Sequence, residues 1–398
     1  MKSIRFQFAI PSNDPTHKHE PQTRIKTLGI GGCGGNVINT ILKRLNPTPQ
    51  TLTPNSFIAI NTDKQDLSTS NAPTKIQIGQ MLTKGLGSGG NPEIGKMAGE
   101  ENIEDVKTVI KNTDVIFLTC GMGGGTGTGA SPVIAKIAKQ LGAFTIAVVT
   151  FPFDFEGTQR ARQAEQGISE LKKSIDALVI LPNQRLFSMT NEKTPLKDAF
   201  ELVNQTLAQT LHGVTEIILS PGLVNVDFAD VRTLMSQKGD AFVGIGNSQT
   251  LNPNSQNNRA LHTIQQAINS SFLTRSCIRE ATGALIHITG GENLTLSEAN
   301  DAVSSVKEII HPNANIIFGV YIDPSMTAQT QIRITIIVTG IKNDLWKPYK
   351  YTEQNLKIPT FRRKKTLFYP PASDGLSETQ HKTLEIPTFL RRQNGLKS

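Results

Sequence analysis

The sequence predicts an α/β protein: a parallel, doubly wound nucleotide-binding domain, a long central helix, a smaller α+β domain and a disordered basic tail. Three observations carry this. Short apolar runs alternate with helical periodicity from about Arg24 to Leu181, the pattern of parallel strands with helices between them. Apolar residues then recur at intervals of three and four from Phe200 to Ile218. After Gly340 the periodicity stops, and a polar, proline-containing segment follows with no core of its own.

Residues 1–23 meet Pro11, Asn13 and Asp14 before any useful apolar run, so they read as a flexible arm and not as a secretory signal. Apolar runs at 25–30, 57–60, 75–78, 115–118, 144–149 and 178–181 supply the strands of a first domain, 24–195. The stripe Phe200, Val203, Leu207, Leu211, Val214 and Ile218 ends at Ser220-Pro221-Gly222, defining a central helix over 196–220. At about 1.5 Å per residue it spans over 30 Å, enough to connect two domains. The second domain, 221–341, has helical patterns at 227–237, 258–272 and 297–310, with strands near 241–245, 284–289, 315–320 and 331–339.

A chain of 398 residues exceeds what one hydrophobic core serves, in agreement with two domains. At 37% hydrophobic and 19% charged residues the composition is globular, and no apolar run approaches the roughly 18 residues of a membrane span, so a soluble protein is expected. Cys33, Cys120 and Cys277 are too far apart for a disulfide framework or a zinc site, which suits reduced thiols in a cytosol. The net charge of +8 suggests nucleic acid until it is located: residues 342–398 hold 12 Lys/Arg against 5 Asp/Glu, and the remaining 341 hold 29 against 28. A basic tail on a nearly neutral body argues against nucleic acid and for an anionic membrane surface or an acidic partner, with a solubilising tail as the ordinary alternative. The tail also repeats itself. Leu356-Lys-Ile-Pro-Thr-Phe-Arg-Arg363 returns as Leu384-Glu-Ile-Pro-Thr-Phe-Leu-Arg-Arg392.

Two glycine-rich segments carry the chemistry. Gly29-Ile-Gly-Gly-Cys-Gly-Gly-Asn36 follows the first strand and precedes a helical run from Val37; such a turn brings backbone N–H groups and the positive end of a helix to a phosphate. Alone it also satisfies a dinucleotide fingerprint at Gly29, Gly31 and Gly34, with Asp63 available for a ribose. The second segment, Gly121-Met-Gly-Gly-Gly-Thr-Gly-Thr-Gly129, lies between the strand at 115–118 and a helix at 130–141. Six glycines in nine residues, interleaved with two hydroxyls, surround a polyphosphate from several sides. Two such loops on one sheet suit a nucleoside triphosphate, and no Walker A motif occurs.

In this context Gly123-Gly-Gly-Thr-Gly-Thr-Gly129 resembles the tubulin signature, and residues 24–340 resemble the FtsZ family of tubulin-like GTPases. The resemblance extends through Asn61-Thr-Asp63, Lys84 to Pro92, Pro152 to Gly157, Leu181 to Leu186 and Asn225 to Asp230, and the tail copy Leu384–Arg392 resembles the family's peptide for membrane-anchoring division proteins. It implies a tubulin/FtsZ-like fold and a GTP-dependent, filament-forming GTPase that assembles the bacterial cell-division ring, in the cytoplasm at the inner face of the membrane. It also implies GTP and GDP as ligands, with Mg2+ on the phosphates and no protein metal ligands identified. Gly32, Cys33, Gly34, Gly35 and Asn36 would hold phosphates; Gly123, Gly124, Gly125, Thr126 and Gly127 would embrace the terminal ones. Cys33 is a departure, placing a thiol where relatives carry another small residue. Glu156 and Arg160 match ribose contacts, though their spacing also makes an ordinary helical ion pair. Asn183 matches a nucleoside contact. Phe200 and Asn204 match guanine stacking and edge reading, though Phe200 equally extends the apolar stripe.

Neither glycine loop carries a carboxylate to orient an attacking water. Asn225, Asp227 and Asp230 stand far beyond them, where Asp227 and Asp230 have the spacing of acids that stabilise a helix N-terminus. By resemblance these are catalytic residues inserted into the next subunit's nucleotide site in a head-to-tail homopolymer. An NAD-dependent oxidoreductase and a nucleotide-binding scaffold without turnover stand as alternatives.

Overall fold

Strand β1 (Ile25–Ile30) is buried at every residue but Lys26, because helices cover both faces of its sheet. In the computed structural model, residues 23–44, 56–189, 194–219, 222–224, 226–237, 239–249, 259–270, 273, 275–324, 326 and 331–341 are described. The expectations for the arm 1–22, for Asn225 and for the tail from residue 342 lie outside them. After β1 come α1 (Gly31–Arg44), β2 (Phe57–Asn61), α2 (Lys64–Thr69), β3 (Thr74–Gln77), α3 (Gln80–Thr83), α4 (Pro92–Glu101) and α5 (Ile103–Ile110). The half is completed by β4 (Val115–Gly121), α6 (Thr126–Gln140), β5 (Phe144–Phe151), α7 (Thr158–Leu171) and β6 (Ala177–Pro182).

These six strands are parallel in the order β3-β2-β1-β4-β5-β6. Alternation along β4 shows the double winding. Val115 and Phe117 enter a core shared with Val37, Ile38 and Ile41 of α1, whereas Ile116, Leu118 and Cys120 enter the opposite core with Ile134 and Ala138 of α6. Each fully buried Ile, Leu or Phe contributes roughly 1.5–3 kcal/mol, so the two cores together fix which helix lies on which face.

The long helix is α8 (Leu196–Leu219), 24 residues whose buried positions include Val203, Leu207, Leu211 and Val214. Beyond it lie α9 (Phe228–Met235), β7 (Asp240–Gln249), α10 (Arg259–Ile268), α11 (Arg275–Glu280), β8 (Gly283–Gly290), α12 (Leu296–Lys307), β9 (Asn315–Ile322) and β10 (Gln331–Ile341). Strand β10 runs antiparallel between β7 and β8, and β9 pairs parallel with β8. A third core, with Phe242, Ile264, Ile286 and Ile334, fills the face under α10 and α12. The two halves share one ten-stranded sheet, joined between β6 and β7 by the pair Val179 and Ala241. Among the described residues no helix is long and apolar enough to cross a membrane.

Helices begin earlier than the periodicity predicts. The first starts at Gly31 and not at Val37, and α6 starts at Thr126 and not at residue 130. Glycine is a poor helix former by about 1 kcal/mol, which hides these turns from a propensity reading. Packing overrides propensity here: a methyl group on Gly34 would lie 2.5 Å from the Thr119 carbonyl oxygen. Three helices between β3 and β4 also go beyond the sequence expectation, although Asn91 caps α4 through the Glu93 N–H and Pro92 opens it.

Candidate functional site

The first six strands reverse direction of succession between β1 and β4. In an open α/β sheet a crevice forms at that point outside the carboxyl ends of the strands, and here the two strands beside it lead into the two glycine segments. The N-termini of α1 and α6 therefore converge, each presenting backbone donors and a partial positive charge.

The glycines have separate tasks. A methyl on Gly29 would meet the Gly34 carbonyl oxygen at 2.4 Å, so this pair lets α1 lie against β1 and β4. Gly31, with φ +70°, lies against the other segment, 3.1 Å from the Gly127 nitrogen on the same measure. Gly121 meets Cys33 at 2.9 Å. Gly32 and Asn36 are exposed, and a methyl on Gly35 would meet nothing within 4 Å. Gly35 and Asn36 line a cleft with Asn61 and Asp66. Cys33 is half-buried, and desolvation of its thiol pushes it up to about 11.

The second segment is held from within. Gly123, at φ +96°, donates its N–H to the buried Thr128 hydroxyl at 2.8 Å. The Thr126 hydroxyl lies 2.6 Å from that of Thr62 and 3.1 Å from that of Ser88, all three buried. Gly125 is packed on Ser88, and Gly127 on the Gly121 carbonyl. Both threonine hydroxyls thus brace the loop from within.

A rim continues from this loop. Arg160 packs on Gly123 and Gly124 and pairs with Glu156 at 3.0 Å. The Glu156 side chain is 10% exposed and also accepts the Phe153 N–H at 2.8 Å, so the pair is anchored more firmly than a surface pair at that spacing. Phe153 meets Phe200 edge-on, with centroids 5.6 Å apart, and stacks on Phe155. Phe200 is 39% exposed and so lies outside the apolar stripe of α8, while Asn204 is half-buried. Asn183 is buried, and its Oδ1 has no hydrogen-bond partner among the described residues.

Asp227 and Asp230 are exposed on α9, and no hydrogen bond or ion pair among the described residues joins them to either glycine segment. Asp227 occupies the N-cap position, yet its side chain makes no capping hydrogen bond. Phe228 packs edge-on against Phe144 of β5, and the Arg232 guanidinium lies 5.5 Å above the same ring, bracing this helix on the first half of the sheet.

Sequence reasoning missed Ser88, Thr62 as a partner of Thr126, and Asp66. The Asp66 carboxylate would lie 3.1 Å from a methyl on Gly32 and accepts from Asn61 Nδ2 at 2.6 Å. Desolvation and neighbouring Asp63 raise its pKa, and the Asn61 bond opposes them. Thr62 and Ser88 lie within segments that carry the resemblance, but nothing local assigns any of the three its partner, because each meets its loop only through the fold. No cluster of three or more metal-ligating side chains occurs among the described residues.

The strand order and the converging glycine segments define a tubulin-type GTPase domain, and residues 24–191 match the model of the Tubulin/FtsZ family, GTPase domain. Residues 239–342 match that of the FtsZ family, C-terminal domain. Among solved structures, an empty FtsZ dimer from M. jannaschii is 41% identical, covering 81% of this chain and 90% of its own with a TM-score of 0.72. A mutant form of FtsZ from M. jannaschii is 42% identical over 80% and 92%, with a TM-score of 0.71. CetZ1 from Haloferax volcanii, a GDP-bound monomer, shares the fold at 20% identity over 81% and 96%, with a TM-score of 0.70. The chain belongs to the FtsZ family. Membership removes the NAD-dependent alternative.

Proposed function

We propose that this protein is a GTP-dependent, filament-forming GTPase of a cell-division ring, whose active site is completed by the adjacent subunit. The observation that carries the reading is a separation. Backbone donors converge at the switch point, and the exposed acids Asp227 and Asp230 lie elsewhere on the same chain, with Asp227 making no capping hydrogen bond. An FtsZ dimer among the relatives supports self-association. In a head-to-tail contact the acids of one subunit reach the nucleotide of the next, and because such a contact does not close on itself it extends into a filament.

In this reading Gly32 to Asn36 and Gly123 to Gly127 hold the phosphates, while Glu156 and Arg160 hold the ribose. Phe200 stacks on guanine against Phe153, Asn204 reads its edge, and the open Oδ1 of Asn183 accepts from the nucleoside. Asp227 and Asp230, with Asn225, orient the attacking water. Mg2+ neutralises charge on the phosphates when bound, and its usual demand for one or two carboxylates beside phosphate oxygens fits Asp66 at the mouth of the first loop. Residues 24–195 are then the GTP-binding domain, 196–220 the connecting helix and 221–341 the activating domain. Residues 342–383 link to the peptide 384–398, which binds membrane-anchoring division proteins on the inner face of the membrane, aided by the basic tail on anionic lipid.

Phosphate release measured against protein concentration tests this. The rate per subunit rises with concentration in the native chain, and Asp230→Ala retains GTP binding and assembly but loses hydrolysis. A concentration-independent rate in the native chain refutes the shared site.

A further inference from the structure

Helix α8 meets the second half of the sheet through charge as well as hydrocarbon. Along β10, Ile332, Ile334 and Ile336 enter the core under α10 and α12, so Arg333 and Thr335 face the other way, toward α8. In register, Arg333 pairs with Thr289 of β8 and Thr289 with Tyr321 of β9. One step along, Thr335 pairs with His287, and His287 with Gly319. Farther along the strands the same face turns apolar, with Leu285, Ile337 and Val243 joining the core beneath α8 and α9.

On the helix side, Gly213 lies over Thr335, where an added methyl would sit 3.1 Å from the Thr335 hydroxyl. One turn on, Glu216 is 6% exposed and accepts from Arg333 Nη2 at 3.1 Å. Its other oxygen lies 4.0 Å from His212 Nδ1 and makes no hydrogen bond among the described residues. The remaining charged or titratable neighbours are His287 from β8, beside Arg333, and Tyr321 and Asp323 at the end of β9.

Where Gly213 lies over Thr335 the contact is made of small groups, while Leu211, Val214 and Ile217 of α8 share the non-directional apolar core with Val243, Leu285 and Ile337. The ion pair adds a directional constraint to that packing, since displacing α8 by one turn, about 5.4 Å, would part the charges and leave a buried carboxylate alone. Helix α8 carries Phe200 and Asn204 at one end. Past its other end, Val224 exchanges two backbone hydrogen bonds with Val320 of β9, at 3.3 and 3.1 Å, shortly before Asp227 and Asp230.

We propose that the Glu216–Arg333 pair is a positioning contact, which fixes the register of α8 on the second half of the sheet and thereby aims Asp227 and Asp230 at the neighbouring subunit's nucleotide. This rests on the GTPase reading above. Neither residue touches nucleotide; both act through the helix and the segment that follows it.

The test uses the full chain and four variants: Glu216→Gln, Arg333→Leu, Arg333→Lys and the double variant Glu216→Leu/Arg333→Leu. Replacing a buried pair by apolar residues of similar volume commonly preserves stability, so the double variant separates aim from folding. GTP affinity, melting temperature and concentration-dependent phosphate release are measured for each. The expected result is unchanged GTP affinity throughout, with turnover at saturating protein lowered by about 10- to 100-fold in Arg333→Leu and in the double variant, as for a displaced catalytic group. Arg333→Lys, which keeps the charge, recovers part of the rate. Native turnover in the double variant overturns the proposal; if that variant fails to fold, native turnover in Arg333→Leu overturns it equally. A native chain that releases phosphate independently of concentration refutes the shared-site reading instead, and is distinguishable because it needs no variant.

Discussion

Thr128→Val changes one hydrogen bond in the second glycine segment and almost nothing else. Thr128 is 3% exposed, its hydroxyl accepts the Gly123 N–H at 2.8 Å, and its methyl packs where Gly167 leaves room for it. Valine has the same shape, so no cavity opens and the methyl contact survives. What remains is a buried N–H with no acceptor, at a glycine whose φ of +96° is already unusual, and leaving such a donor unmatched costs about 1–3 kcal/mol. The melting temperature should therefore fall by several degrees, at about 2–4 °C per kcal/mol for a domain of this size. GTP affinity, measured by titration, should fall as well, because the segment loses the bond that holds its backbone donors in place. Thr128→Ser is the control. It keeps the hydroxyl and removes the methyl, so it should cost roughly 1 kcal/mol in stability and leave affinity intact. Equal affinities for Thr128→Val and Thr128→Ser would refute the claim that this hydroxyl organises the loop.

Three further outcomes can be measured, two from the geometry of described residues and one from the sequence of the tail. With its thiol pushed up to about 11 by burial, Cys33 should be alkylated slowly at pH 8, where roughly one molecule in a thousand is thiolate, and faster as pH rises; bound GDP should slow it further. Rapid labelling at pH 7 would contradict this. His212 and His287 are pushed down from 6.5 to about 4, by burial first and by Arg333 second. An unfolded chain protonates these residues first, so their contribution is full above pH 6.5 and is lost as pH falls toward 4. At about 1.4 kcal/mol per unit the loss reaches the order of several kcal/mol. Glu216, raised by burial, works in the opposite sense, so a shallower acid-side fall in the melting temperature of His287→Asn than of the native chain isolates the imidazole part. In the tail, Phe389→Ala should abolish most binding to a soluble anchoring partner, while Phe361→Ala mainly weakens retention on anionic vesicles in a sedimentation assay. The first copy carries Lys357 and Arg362 where the second has Glu385 and Leu390, which favours lipid by on the order of 1 kcal/mol per basic residue. If Phe361→Ala changes neither, the first copy is a silent duplication.

The alternation of strands and helices, the length of α8 and the two glycine segments that mark a polyphosphate site are all legible along the chain. These are local properties. A period of 3.6 or of 2 is written in neighbouring residues, and so is a glycine run between a strand and a helix. Even there the helix starts read too late, because Gly31 to Gly35 and Thr126 to Gly129 are helical for reasons of packing that propensity does not contain. That the two segments touch is a matter of folding, since it depends on β1 and β4 being neighbours. So is the inward turn of the Thr128 hydroxyl, the bracing of Thr126 by Ser88 and Thr62, and the departure of Phe200 from its stripe to meet Phe153. The same holds for Glu216 and Arg333, 117 positions apart, which read in sequence as two unremarkable charges. Contacts across such separations follow from strand order and register, which the chain acquires only when its apolar faces are buried together, so no window of neighbouring residues contains them.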